Sequence, residues 1–230
     1  MSARAQCYSL LRDAIVALRL PPGTKVSDIE LARELQVSRT PIREALLQLS
    51  DEGLVDVRPQ AGTFVSRISV AAVREAQFVR EALEVAAVQA AGRRVDDAEL
   101  DGLEANVAAQ REAADAGDAE RFYELDEELH RLLMQASGFP GVARVADRSR
   151  AHLNRVRLLS LPVPETIGRL VAQHAEIVES LRAGDVERAE AVLRKHLRAV
   201  LETLPSIVGE HPDFFVDDGA RGADGAGALI

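Results

Sequence analysis

The first 66 residues are punctuated so densely that few folds satisfy them. Pro21, Pro22 and Gly23 end an amphipathic helix read over residues 5–19, with Leu10, Leu11, Ala14, Ile15 and Leu18 on one face. Ser27 stands as the cap of a short second helix over residues 28–36, and Glu30 three places on completes a capping-box pattern. Ser38 opens a third helix over residues 39–53. Pro41 lies in its first turn, where a missing N–H costs little, and Gly53 ends it. Residues 54–58 and 63–66 then alternate like two short strands around the turn Pro59-Gln60-Ala61-Gly62.

Three helices and a hairpin in that order are the layout of a winged helix-turn-helix, predicted over residues 1–68. From Val70 onward the pattern is helical, over 70–92, 97–116, 118–136, 140–160, 165–183 and 185–205. Short connections make neighbouring helices antiparallel. The chain is thus expected to be mainly α, with an all-helical antiparallel bundle over residues 69–206. Residues 207–230, rich in Gly, Asp and Ala, read as a disordered tail.

Charge separates the two parts. The net charge of −9 argues against nucleic-acid binding by the whole chain. Residues 1–68, however, hold nine Arg/Lys against eight Asp/Glu, a balance of +1; the remainder holds nineteen against twenty-nine, or −10. Only the N-terminal part suits a phosphate backbone. No apolar run approaches the roughly 20 residues that span a bilayer, and Arg12, Asp13 and Arg19 interrupt the N-terminal apolar stretch, so no signal peptide or membrane partner is expected. A single cysteine, Cys7, allows no internal disulfide, and a cytoplasmic protein is the simplest reading.

In a helix-turn-helix the second paired helix presents its N-terminal residues to base edges. Here these are Ser38, Arg39, Thr40 and Arg43. The two arginines are four residues apart and share a helix face. An Arg fork bonds guanine O6 and N7 together, while Ser38 and Thr40 suit phosphate oxygens. Gly62 at the wing tip lets backbone approach the duplex without a Cβ in the way.

The helical part carries His130, His152, His174 and His196. Asp126 lies one helical turn before His130, so the two share a face and can share a metal. His174 and His196 flank the turn Arg182-Ala183-Gly184-Asp185 at similar distances. An antiparallel hairpin therefore brings them to one height. One carboxylate and three imidazoles suit a divalent transition metal such as zinc, nickel or manganese. Arg80 and Arg155 are candidates to pair with an acidic effector as bidentate forks. A surface ion pair is the alternative for Arg155. His152 either lines the pocket or belongs to the core.

The segment LPPGTKVSDIELARELQVSRTPIREALLQLSDEGLVDVRPQAGTFVS resembles the N-terminal domain of the GntR family of bacterial regulators. The resemblance implies DNA contact by Ser38, Arg39, Thr40, Arg43 and Gly62. One departure is Ile29, which stands where some members place a basic DNA-contacting residue. Residues 70–205 resemble the FCD ligand-binding domain of the FadR-like subfamily. The family's metal pattern falls on Asp126, His130, His174 and His196, and its R-x-x-L-E on the run from Arg80 to Glu84. Members that bind acyl-CoA lack the metal set, so the resemblance implies the metal-containing type that senses organic acids.

The resulting expectation is a transcriptional repressor, not an enzyme. A homodimer would read a palindromic, double-stranded operator and be released by a small carboxylate effector bound at the metal. The alternatives are a regulator for which the ion is itself the signal, and a metallohydrolase.

Overall fold

A computed structural model describes residues 2–139, 141–161 and 164–216. The chain divides into two compact units, Met1–Val73 with Val208–Ile230, and Arg74–Ile207.

The first unit follows the expected order with one added strand. Helix α1 (Ala3–Val16) is capped by the Ser2 hydroxyl and ends before Leu18, which takes a positive φ of 58°. It is thus shorter than expected, and its buried face is Cys7, Leu11 and Ile15. Leu10 is left 55% exposed. Strand β1 (Lys25–Val26) precedes α2 (Asp28–Glu34) and α3 (Arg39–Asp51). Ser27 accepts from the Glu30 N–H as predicted, whereas Ser38 occupies the cap position of α3 without a side-chain cap bond. Ile42, Ala45, Leu46 and Leu49 form the buried stripe of α3, at the 3–4 residue spacing of an amphipathic helix.

Strands β2 (Val55–Arg58) and β3 (Gly62–Val65) form the predicted hairpin. β1 adds to it antiparallel, pairing Lys25 with Phe64, so the sheet order is β1-β3-β2. A two-residue strand has too short a pattern to read from sequence. Gly62 has a φ of +118°, a conformation that L side chains rarely adopt, so the position suits glycine.

The expected tail from residue 207 is corrected over its first ten residues. The last helix runs through Glu210, Pro212–Phe214 form a 3₁₀ turn, and Phe215 is buried. Phe215 lies alongside Ile68 as a parallel bridge: Ile68 N–H donates to Phe214 O and Val216 N–H to Ile68 O. The apolar run Phe214-Phe215-Val216 can bury itself, and an average over the polar, Gly-rich segment conceals it. Residues 217–230 of the expected tail lie outside the described residues.

The second unit is helical among its described residues, formed by α4 (Val70–Ala91), α5 (Asp97–Asp115), α6 (Ala119–Ala136), α7 (Val142–Ser149), α8 (Ala151–Ser160), α9 (Pro164–Arg182) and α10 (Val186–Glu210). The helix expected over 140–160 is two helices, broken at Arg150. No Gly or Pro marks that break. The buried Arg150 instead ion-pairs with Glu127 and Asp147. A capping box between Asp96 and Glu99 starts α5. Gly184, with φ +74°, closes the α9–α10 turn. Val88, Leu103, Leu129, Ile177 and Leu193 from five helices meet in one core. His130, His174 and His196 lie on three of these helices.

Candidate metal centre and nucleic-acid surface

Asp126 and His130 are one turn apart on α6, His174 is on α9 and His196 on α10. All four are buried, and one ligand atom from each lies within 4.8 Å of the others. His196 Nε2 is 3.2 Å from both His130 Nε2 and His174 Nε2. Asp126 Oδ1 is 3.6 Å from His174 Nε2 and 4.0 Å from His130 Nε2. Two nitrogens bonded to one ion at about 2.0–2.1 Å, with tetrahedral angles, would stand about 3.3 Å apart.

The outer nitrogens are held elsewhere. His174 Nδ1 donates to Gln110 Oε1 at 2.6 Å, and Gln110 is oriented by its own amide, which donates to Asn106 Oδ1. His196 Nδ1 donates to Gln173 Oε1 at 3.1 Å. His130 Nδ1 sits 2.7 Å from Glu84 Oε2, close but off the line of a good hydrogen bond. With the proton fixed on Nδ1 in His174 and His196, the Nε2 lone pairs of these two rings point inward. Such outer partners set tautomer and ring direction in metal sites.

Charge supports the same reading. Burial pushes His174 down to about 3 and holds His196 well below the usual histidine range, so both imidazoles are neutral. Burial alone would raise Asp126, but the Arg157 guanidinium against it outweighs burial and holds the carboxylate ionised. Glu84 is kept ionised against burial by the Arg80 guanidinium. Two inward lone pairs and a carboxylate repel one another, and with His130 beside them a divalent transition ion is what this donor set fits. When bound, such an ion would supply coordination positions for water or a carboxylate.

A cavity adjoins the cluster. Asp126 and His196 form part of its wall with Arg80, Tyr123, Arg157 and Arg169. Arg80 donates through Nε to Glu84 Oε1 at 2.7 Å, while its buried Nη2 has no hydrogen-bond partner among the described residues. Arg155 and His152 do not line this cavity. The Arg155 guanidinium is fully buried and meets His152 Nδ1 at 2.7 Å. Arg157, two residues on, is the cavity arginine, and it contacts both Asp126 and Glu127. Sequence reasoning missed Arg157, Gln110 and Gln173. The pair Asn106 and Gln110, polar and four apart on the buried stripe of Leu100, Leu103, Val107 and Ala113, is a signal that could have been read.

The other surface is on α2, α3 and the wing. Ser38, Arg39, Thr40 and Arg43 are exposed along the start of α3. Both arginines reach the same carboxylate, Asp28 on α2. Lys25 and Arg58 lie over the Phe64 ring at 5.9 and 4.8 Å, beside Gly62. This adds two cations that the sequence did not single out. No helix among the described residues is long and apolar enough to cross a membrane.

Comparison with known proteins agrees with both halves. Residues 3–65 match the family described as bacterial regulatory proteins, gntR family, and residues 75–199 match the FCD domain. The chain is 40% identical to an uncharacterized HTH-type transcriptional regulator in an unstable DNA locus of Streptomyces ambofaciens, over 94% of this chain and 91% of that one. It is 33% identical to the HTH-type transcriptional repressor RspR of Escherichia coli K12, over 93% of each. Among solved structures, E. coli McbR/YncC aligns with a TM-score of 0.77 at 20% identity, covering 92% of this chain and 99% of that one. A GntR regulator from Rhodococcus sp. RHA1 aligns with a TM-score of 0.74 at 22% identity, covering 91% and 99%. At such identities the structural likeness speaks for the fold alone. The chain belongs to the GntR family of bacterial regulatory proteins, as a DNA-binding transcriptional regulator rather than an enzyme, with an FCD domain following its winged head in sequence.

Proposed function

We propose that this regulator is a homodimeric repressor whose heads, residues 1–68, read a palindromic double-stranded operator. Two-fold protein symmetry would be matched by two-fold DNA symmetry. Ser38, Arg39, Thr40, Arg43 and Gly62 make the DNA contacts. In the sensor, residues 69–206, Asp126, His130, His174 and His196 hold a divalent ion, and a small carboxylate effector binds beside it. Arg80 meets the effector's charge, with Arg169 at the cavity wall as a second cation. His152 and Arg155 pair with each other and are left out of this effector site. The repressor name of the E. coli relative supports the sign of regulation.

One observation carries the effector reading: the buried Arg80, whose Nη2 has no hydrogen-bond partner among the described residues, lines a cavity together with Asp126 and His196. A buried guanidinium N–H left unpaired costs free energy, and a carboxylate supplies the acceptor. To weaken operator binding 100-fold, the effector needs about 2.7 kcal/mol of differential affinity for the released state.

The test is fluorescence anisotropy with a duplex enriched from a random pool by the wild-type protein. A panel of two- to six-carbon acids is titrated onto metal-loaded and chelator-treated protein. Release by an acid should require metal and be lost in Arg80→Ala with its metal content unchanged. Release that is indifferent to chelation, or a panel with no effect at all, counts against the proposal.

A further inference from the structure

Arg39 and Arg43, the two residues placed to read bases, are both anchored on Asp28. Arg39 Nη2 donates to Asp28 Oδ2 at 2.9 Å and to Oδ1 at 3.2 Å, and its Nε donates to Oδ2 at 3.3 Å. Arg43 Nε donates to the same Oδ2 at 2.6 Å. The Arg39 and Arg43 side chains are 48% and 61% exposed, against 22% for Asp28. The carboxylate therefore lies beneath the two guanidiniums, and Arg43 first, then Arg39, holds it below its ordinary range.

Donor accounting shows what this leaves. A guanidinium has five N–H groups in a fixed plane. Asp28 takes the Nε edge of Arg39, so the Nη1 and Nη2 edge faces away from it. That outer edge is the pair of donors that spans guanine O6 and N7. Arg43 gives only Nε to Asp28, so both of its terminal nitrogens point outward in the same way.

Resting on the DNA reading above, we propose that Asp28 is a specificity-determining positioning residue, which holds Arg39 and Arg43 as one pre-aimed pair of forks. It touches no base in this role. It fixes the rotamers that otherwise have to be ordered on binding, and it cancels one of two adjacent positive charges. Unanchored, the same arginines would reach for any phosphate, a contact that carries no sequence information. Asp28 therefore lowers affinity for random DNA and raises it for the cognate site.

Asp28 has one other role, as an acidic residue in the first turn of α2, which Asp28→Glu retains. The cap of α2 is the Ser27 hydroxyl, which accepts from Glu30 N–H whatever stands at position 28. Asp28→Asn retains the shape and removes the charge, and Asp28→Glu retains the charge at a longer reach.

The experiment uses the full-length protein and two probes: the duplex enriched by the wild type from a random pool, and a scrambled duplex of equal length. Affinities are read from 50 to 200 mM salt. In Asp28→Asn the ratio of the two affinities should fall at least tenfold. Binding to the scrambled duplex should tighten, and its salt slope should steepen by up to about 0.9, the value of one added phosphate contact. Asp28→Glu should restore part of the ratio. An unchanged ratio in Asp28→Asn, or an equal loss on both duplexes at a normal unfolding midpoint, overturns the inference alone. A wild-type protein that enriches no sequence overturns the DNA reading and this inference together.

Discussion

His174 Nε2 and His196 Nε2 face each other at 3.2 Å, while their Nδ1 atoms are bonded away to Gln110 and Gln173. Two buried imidazoles arranged in this way have no proton to share between them. Protein purified without chelator is therefore expected to carry close to one divalent ion per chain by elemental analysis, and His174→Ala or His196→Ala to carry much less. Ion present at about 100 times its dissociation constant adds about 2.7 kcal/mol to stability. At roughly 2–4 °C per kcal/mol for a unit of this size, a chelator should lower the sensor's unfolding midpoint by about 5–10 °C. No shift with chelator, on protein shown to contain metal, would contradict the assignment.

Gln110 separates orientation from ligation. Its Oε1 accepts from His174 Nδ1, its amide is braced by Asn106, and it is fully buried. Gln110→Leu preserves bulk but frees the ring to turn. Metal affinity, measured against a chromophoric chelator, is expected to fall about 10–100-fold, the range for loss of such an outer partner. An affinity within twofold of wild type would show that the ring is held by packing alone.

These two sites also mark what could be read from sequence. The shared height of His174 and His196 is legible because both are counted from one turn at Gly184, and helical rise converts the count into a distance. Asp126 and His130 are legible because they are four apart on one helix. Gln110 is legible only as a polar residue on a buried stripe; its partner is not, since it reaches His174 from a helix 64 residues away in sequence. The sequence points to Arg155, where the structure places Arg157 at the cavity, for a related reason. Two residues differ by about 200° around a helix, so the choice rests on helix phase. The unmarked break at Arg150 hides the phase of α8. The wing and the recognition helix are legible from caps and breakers, but Asp28 beneath Arg39 is a tertiary contact with no period to announce it.

Tyr8 ties α1 to the end of α3. Its hydroxyl donates to Glu52 Oε1 at 2.6 Å. Burial, followed by that carboxylate, raises the phenol from its ordinary 10 to about 12. The neutral phenol is the form that the fold favours. Its contribution is therefore complete below pH 10 and is lost as pH rises from 10 to 12. Tyr8→Phe should cost the head about 1 kcal/mol at neutral pH. In urea titrations, the difference between wild type and variant should shrink across pH 10–12. A constant difference over that interval would remove the hydrogen bond as its cause.

Phe215 reaches the first unit from the far end of the sequence. It is 5% exposed, and the segment around it is fixed by hydrogen bonds between Ile68 N–H and Phe214 O and between Val216 N–H and Ile68 O. Ile68 is itself fully buried, so removing the ring opens a cavity beside a side chain that cannot reach water. Phe215→Ala should therefore cost about 3–5 kcal/mol, the usual toll for an aromatic deleted from a core, and Phe215→Leu considerably less. A head of some 70 residues has only a few kcal/mol in reserve, so Phe215→Ala should unfold it at a visibly lower urea midpoint and weaken DNA binding in parallel. The metal content of the sensor supplies the control, because Asp126, His130, His174 and His196 all belong to the other unit. Unchanged head stability in Phe215→Ala would place the ring on the surface and return this segment to the tail that its composition suggests.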